Sequence, residues 1–184
     1  MDGYARIASV FHQRIDNIAG AVDSMAPALE EASNALLHAV LSDRRIIVLA
    51  CGVDFALGAH VAAELRTPRG TGPALPAIHL GSSCAGAATP EGAESVPLWR
   101  DLRTLSRDGD AIICIDTTPG ATVAQLAVHL AGQRNLVPVT LSESSELQGC
   151  SVALPGDTPA LRSELALMAM HCLQELIGQA MLGE

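Results

Sequence analysis

The sequence predicts a three-layer α/β domain with a doubly wound, parallel, five-stranded sheet. Five short apolar runs alternate with segments of helical periodicity, and this alternation is typical of β-α-β units. The runs are rich in β-branched residues, as expected of strands that are buried on both faces. At 184 residues the chain can bury a full core, so we expect residues 1–184 to form a single domain.

The first forty residues predict two helices ahead of any strand. Apolar residues recur at spacings of three and four over 3–22 and again over 26–41, which indicates two amphipathic helices. Their apolar stripes can cover the sheet or pack against a second subunit. We favour partly the latter and expect a homo-oligomer, either a dimer or a tetramer.

The remaining elements follow in regular order. The first strand is predicted over 46–50, with a tight loop at Cys51-Gly52 and a helix that ends near Arg66, before Pro68. Further strands are predicted over 75–80, 111–115, 136–141 and 150–154, and further helices over 96–106 and 122–131. The last helix begins at Thr158-Pro159, a cap residue followed by proline, and extends to about residue 182. It is apolar on nearly every side, which predicts burial in the core or in a subunit interface.

The composition excludes several classes of function. The net charge of -9 argues against a nucleic-acid surface, which needs clustered cations. All eleven basic residues are arginines, so Schiff-base chemistry and a Walker-type lysine are ruled out. The five widely spaced cysteines form no C-x-x-C pair and predict reduced, buried thiols in a cytoplasmic protein. We find no secretion leader and no apolar run of membrane-spanning length.

His60 and Glu64 carry the sharpest chemical signal. They lie four residues apart on the helix that follows the first strand, so they share one face of that helix. In open parallel sheets, ligands bind beyond the carboxyl ends of the strands, where this helix begins. One interpretation is an ordinary solvated pair or a satisfied core histidine. The other makes Glu64 a general base with His60 as its neighbour or as a metal ligand.

Several motifs in the right order resemble the sugar isomerase (SIS) domain family, in particular the phosphoheptose isomerases and the DnaA initiator-associating proteins. The chain has C-G followed by H-x-x-x-E-L after the first strand, L-P-A-I at 75–78 and H-C-L-x-x-L-I at 171–177. It also shares the start M-D-x-Y-x-R-I-A and a helix containing A-P-A-L. The resemblance covers essentially the whole chain and implies the SIS fold.

The resemblance also implies site residues. In phosphoheptose isomerases a glutamate and a histidine move protons during an enediol isomerisation, and these positions correspond to Glu64 and His171. Some members hold zinc with this pair, a helix histidine corresponding to His60, and a glutamine. Here about Ser163 takes the place of the glutamine. Three of the four ligands are present here, which could leave a zinc ion with one open coordination position. Serine, at the fourth position, is a poor zinc ligand.

The phosphate-binding loops of the family are matched less closely in this sequence than the proton-transfer residues are. Its C-G-N-G-G-S loop corresponds to Cys51-Gly52-Val53-Asp54-Phe55-Ala56, and its S-T-S-G-N-S loop corresponds to Asp116-Thr117-Thr118-Pro119-Gly120-Ala121. Ser82 and Ser83 match the serines after the second strand. If Asp54 and Asp116 point into the pocket, each repels a phosphate by about 4 kcal/mol at about 4 Å and an effective dielectric of about 20. The alternative is that both aspartates point outward as turn or cap residues.

Two hypotheses from different classes follow. The first is a binding or regulatory module of the initiator-associating type, with a drifted phosphate site and a replication initiator as its partner. The second is an active aldose–ketose isomerase that acts on sedoheptulose 7-phosphate or a related sugar phosphate. We expect neither direct nucleic-acid contact nor a membrane anchor in either case.

Overall fold

The computed structural model describes residues 2–67, 72–81, 97–144 and 146–183. Within these ranges the chain forms five α-helices and five strands. The helices are α1 (Gly3–Leu41), α2 (Phe55–Arg66), α3 (Pro97–Leu105), α4 (Thr122–Arg134) and α5 (Pro159–Leu182). The strands are β1 (Ile46–Ala50), β2 (Ala77–Leu80), β3 (Ala111–Asp116), β4 (Val137–Ser142) and β5 (Cys150–Ala153).

The sheet confirms the predicted doubly wound fold. All neighbouring strands are parallel, and their order is β2-β1-β3-β4-β5. Every residue of β1 and β3 is buried, as their apolar sequences predict. The order reverses between β1 and β3, so the loops that follow these two strands flank the topological switch point, where ligands of such sheets bind.

Alternate residues of the central strands enter two cores. On one face, Val48 and Ile113 pack with α1, α2 and α5. On the other face, Leu49 and Ile112 pack with α3 and α4, where Trp99 is 3% exposed. This alternation is the period of two that a strand imposes on its side chains, and it gives the three layers expected from the sequence.

The N-terminal segment differs from the prediction, because the two expected helices are one continuous helix of 39 residues, α1. Pro27 lies inside it, where proline removes one backbone hydrogen bond and disfavours a helical residue before it. Met25 and Ala32, on either side of the proline, are both buried in the core. Tertiary packing therefore holds this region helical across the proline.

Helix α5 buries one side in the core of this chain, which is one of the two kinds of burial that its composition predicts. Thr158 caps it by accepting a hydrogen bond from the N–H of Leu161 at 3.2 Å, as expected. Eight of its side chains are buried, but Met168 is 44% and Leu176 is 42% exposed. In the described part of the chain it is the one helix long and apolar enough to cross a membrane. Core helices of soluble proteins also have this length and composition, and α5 packs on the sheet.

Candidate functional site

Helices α2 and α5 bring together the three residues implied by the resemblance. The Nε2 atom of His171 lies 2.9 Å from Oε2 of Glu64, within hydrogen-bonding distance. The Nε2 atom of His60 lies 3.6 Å from the same oxygen. The side chains of His60, Glu64 and His171 are 54%, 21% and 39% exposed, so a ligand can reach the cluster from solvent. The pair seen in sequence is thus part of a three-residue cluster that includes the last helix.

A second contact fixes how α2 and α5 face each other. Gln174 lies one turn beyond His171, and its Nε2 donates a hydrogen bond of 2.9 Å to the backbone carbonyl of Glu64. The buried side chains of Leu65 and Met170 belong to the same core. Together these contacts hold the histidine ring against the carboxylate, which is what proton transfer between fixed groups requires.

The three donor atoms are also arranged in a way that fits a metal ion. They all lie within 4.8 Å of one another, and tetrahedral zinc with bonds of 2.0–2.1 Å needs donors about 3.3 Å apart. Ser163 precedes His171 by two turns, about 12 Å along the helix, and its hydroxyl donates to the carbonyl of Pro159 at 2.9 Å. Serine is too short to span that distance. A zinc ion held by His60, Glu64 and His171 would keep an open position and could polarise a carbonyl group.

At the switch point, the side chain of Asp54 links the loop that follows β1 to the loop that follows β3. Gly52 begins the turn after β1 with a φ of +59°, a conformation that favours glycine. Asp54 accepts hydrogen bonds from the N–H of Thr117 at 2.8 Å and from its hydroxyl at 2.7 Å. Burial raises the pKa of Asp54 above its ordinary value, the Thr117 hydrogen bonds oppose that shift, and the nearby Asp116 adds to it.

The carboxylate of Asp116 caps the N-terminus of α4. It accepts hydrogen bonds from the backbone N–H groups of Thr118, Val123 and Ala124 at 3.2, 2.8 and 3.1 Å, and also from the Thr118 hydroxyl. The first N–H groups of a helix are the donors that bind anions in many proteins. At this helix Asp116 already occupies two of them, those of Val123 and Ala124.

Neither expectation for the two aspartates is correct as a whole. Asp54 is 2% and Asp116 is 1% exposed, so neither carboxylate points into an open pocket and neither points outward. Asp116 does act as a cap, as the second alternative proposed, but a buried one. The reason is that the loop amides and the Thr117 hydroxyl need acceptors, and the aspartates supply them.

Two residues of this region were not anticipated from the sequence. Arg162 is 5% exposed, and its Nε donates a hydrogen bond of 2.7 Å to the carbonyl of Thr117. Glu143, one residue beyond β4, forms an ion pair with Arg162 at 3.4 Å. The one arginine in a largely apolar helix, and an acid at the carboxyl end of a buried strand, are the sequence signals that could have identified them. Ser82 and Ser83 lie outside the described residues.

Comparison with known proteins finds similarity over nearly the whole chain. The chain is 29% identical over 195 residues to the phosphoheptose isomerase of Halorhodospira halophila, covering 100% of this chain and 98% of that protein. A phosphoheptose isomerase structure from Francisella tularensis superimposes with a TM-score of 0.78 at 20% identity, over 97% of this chain and 100% of that one. The structure of E. coli CFT073 c3406 in complex with A5P gives a TM-score of 0.65 at 18% identity, over 99% and 94%. No protein-family model matches the chain.

By sequence the chain is similar to phosphoheptose isomerases, and its fold is that of their solved structures.

Proposed function

We propose that this chain is a phosphoheptose isomerase-like protein that binds its ligand in a regulatory capacity and does not turn over a phosphosugar. The observation that carries this proposal is the carboxylate of Asp116, which accepts hydrogen bonds from the N–H of Thr118 in the loop and from the N–H groups of Val123 and Ala124 at the start of α4. A phosphate cannot use donors that an internal anion already holds.

The energetics favour exclusion of phosphate from this loop. A charge-assisted hydrogen bond contributes about 1.5–3 kcal/mol, and Asp116 engages three backbone donors. A micromolar affinity corresponds to about 8 kcal/mol, so losing these bonds removes a large share of it. The buried carboxylates of Asp54 and Asp116 add repulsion of a dianionic group on top of that loss.

A second candidate is an active aldose–ketose isomerase, favoured by the contact of 2.9 Å between His171 and Glu64. In that reaction Glu64 would take a proton from the carbon next to the sugar carbonyl and return it to the neighbouring carbon. His171 would exchange protons with the carbonyl and hydroxyl oxygens of the same substrate. A less phosphorylated sugar would avoid the conflict with Asp116.

A coupled isomerase assay with sedoheptulose 7-phosphate separates the two candidates, with and without added zinc. We expect turnover far below about 1 per second, the lower end of ordinary enzyme rates. Glu64→Gln serves as the matched control, because it keeps the size of the side chain and removes the base. Turnover of about 1 per second or more that Glu64→Gln abolishes would overturn the regulatory proposal and establish the isomerase.

The proposed regulatory role includes a cytoplasmic location and a protein partner of the replication-initiator type. Resemblance to the initiator-associating proteins is the support for this partner. A pull-down with purified initiator tests it directly. Absence of capture by the correctly folded chain would remove the initiator from the proposal while leaving the ligand-binding role to be judged by the enzyme assay.

A further inference from the structure

His79 is a histidine that the candidate site leaves unused, and the fold buries one of its ring nitrogens. It lies on β2, opposite Val48 of β1, and contacts the start of α2. Its Nε2 atom is shielded from solvent and has no hydrogen-bond partner among the described residues. A neutral imidazole can leave one nitrogen as a bare acceptor, but an imidazolium has an N–H donor on both nitrogens. A buried donor without an acceptor is costly, so this environment holds His79 neutral.

Two glycines and one aromatic ring leave no room for water beside this nitrogen. A Cβ built on Gly58 of α2 would lie 3.0 Å from Nε2, and one built on Gly81 would lie 2.8 Å from it. The ring of Phe55, at the start of α2, packs on His79 with ring centroids 5.0 Å apart. Because even one added carbon at either glycine would crowd the nitrogen, a hydration shell for a charged ring requires α2 to move away from the sheet.

The charges near the ring disfavour a proton on it. Burial lowers the pKa of His79, the carbonyl of Ala50 opposes that shift, and the charge of Arg66 adds to it. Arg66 is held close by the backbone, because its NH1 atom donates a hydrogen bond of 3.3 Å to the carbonyl of Ala77. Ala77 lies two residues before His79 on the same strand. A proton on His79 would therefore place a second cation near a fixed one.

The other titratable side chains of these elements are directed away from His79. β1 and the rest of β2 have only apolar side chains. On α2, Glu64 lies 3.6 Å from His60 and 2.9 Å from His171, on the side of the helix that faces α5. In the described part of the chain, Arg66 is thus the charged side chain that acts on His79.

We propose that His79 is an acid-sensitive switch: protonation of its ring, between α2 and the sheet, releases the start of α2 and moves His60 and Glu64 away from His171. At neutral pH the uncharged ring keeps α2 against β1 and β2, and the three-residue cluster is assembled. Because folding lowers the pKa of His79 below 6.5, the closed arrangement has its full stability above that pH and loses it as the pH falls toward the folded pKa. This inference concerns the position of α2 and holds whether the chain is a regulatory protein or an isomerase.

Amide hydrogen exchange at about pH 8 and about pH 5, corrected for the intrinsic pH dependence of exchange, tests the switch. We expect the amides of α2 in the wild type to lose about threefold or more of their protection at the lower pH, while the amides of β3 keep theirs. His79→Gln, whose side chain is neutral at both pH values, should lose much less. Any effect of His60 or His171 persists in His79→Gln, so the difference between the two proteins isolates His79.

Two further variants and a direct titration make the result specific. His129→Gln, at an exposed position of α4, should behave as the wild type does, and His79→Leu is a second neutral substitution at the switch itself. In the wild type, the imidazole resonances of His79 should titrate over the pH range in which α2 loses protection. Protection of α2 that does not depend on pH, an equal loss in His79→Gln and His79→Leu, or a parallel loss in β3 would overturn the proposal.

Discussion

At the scale of single residues, burial and hydrogen bonding shift the pKa of Asp54 in opposite directions. Removal from water raises the pKa of its carboxyl group, and the Thr117 donors and Arg162 lower it, with a net upward shift from 3.8. The folded state therefore binds the Asp54 proton more tightly than the unfolded chain does. Its contribution to stability is largest at pH values below 3.8 and is lost as the pH rises toward the folded pKa.

Asp54→Asn should make the free energy of unfolding less sensitive to pH. The variant loses the ionised form, so its stability relative to the wild type should increase as the pH is raised from about 3 to about 7. Urea unfolding at several pH values measures this difference, with the exposed Asp101→Asn as the control. If the difference in the free energy of unfolding between variant and wild type stays constant, or if the variant becomes relatively less stable as the pH rises, the Thr117 hydrogen bonds outweigh burial.

At the scale of elements, helix α2 approaches β1 through a glycine. A Cβ built on Gly58 would lie 2.4 Å from the Cβ of Ala50 and 3.0 Å from Nε2 of His79. The ring of His79 also packs against Phe55, with ring centroids 5.0 Å apart, and burial lowers the pKa of this histidine. The close approach lets α2 carry His60 and Glu64 along the carboxyl edge of the sheet.

Gly58→Ala should destabilise the fold by about 1–3 kcal/mol, the cost of overpacking a filled core. The matched control is Gly132→Ala in α4, where an added Cβ meets no atom within 4 Å. That change should stabilise by about 0.5–1 kcal/mol, because alanine is the better helix former. Thermal or urea unfolding gives both values. Equal changes in the free energy of unfolding for the two substitutions would mean that there is room for a Cβ between α2 and β1.

At the scale of the whole molecule, α1 carries an apolar surface that no other described part of the chain covers. Its 39 residues extend about 58 Å, yet its first buried residue is Ala21. Ahead of it, Ile7, Phe11 and Ile15 are 58–65% exposed at helical spacing. Farther along, α1 and α5 line a groove of about 540 Å³ that includes Met168. An exposed apolar stripe of this length favours the homo-oligomer expected from the sequence.

The oligomer prediction concerns α1 directly. We expect the wild type to be at least a dimer by size-exclusion chromatography with light scattering, and Phe11→Glu with Ile15→Glu to shift it to the monomer. The control is Gln13→Glu with Asn17→Glu, which adds the same charge at exposed positions on the opposite side of the helix. A monomeric wild type, or equal dissociation by both double variants, would contradict a subunit interface on this stripe.

Much of the fold could be predicted because local sequence patterns decide it. The apolar run at 46–50 is the observed β1, and the Thr158-Pro159 cap begins α5 as expected. The continuity of α1 through Pro27 could not be predicted, since the local preference against helix at a proline is overcome by packing of distant residues. The placement of His60 and Glu64 on one helix face was also visible from their spacing.

The sequence alone determined the order of elements, the parallel sheet and the two residues four apart on α2, because each depends on neighbours along the chain. Only the tertiary structure decided that His171 contacts Glu64 across 107 positions, and that Asp54 and Asp116 face inward to bind backbone donors. Those choices depend on which polar groups become buried together, and a buried carboxylate turns toward the donors that the fold leaves unsatisfied. Which backbone donors lack a partner is decided only when the helices and strands have packed.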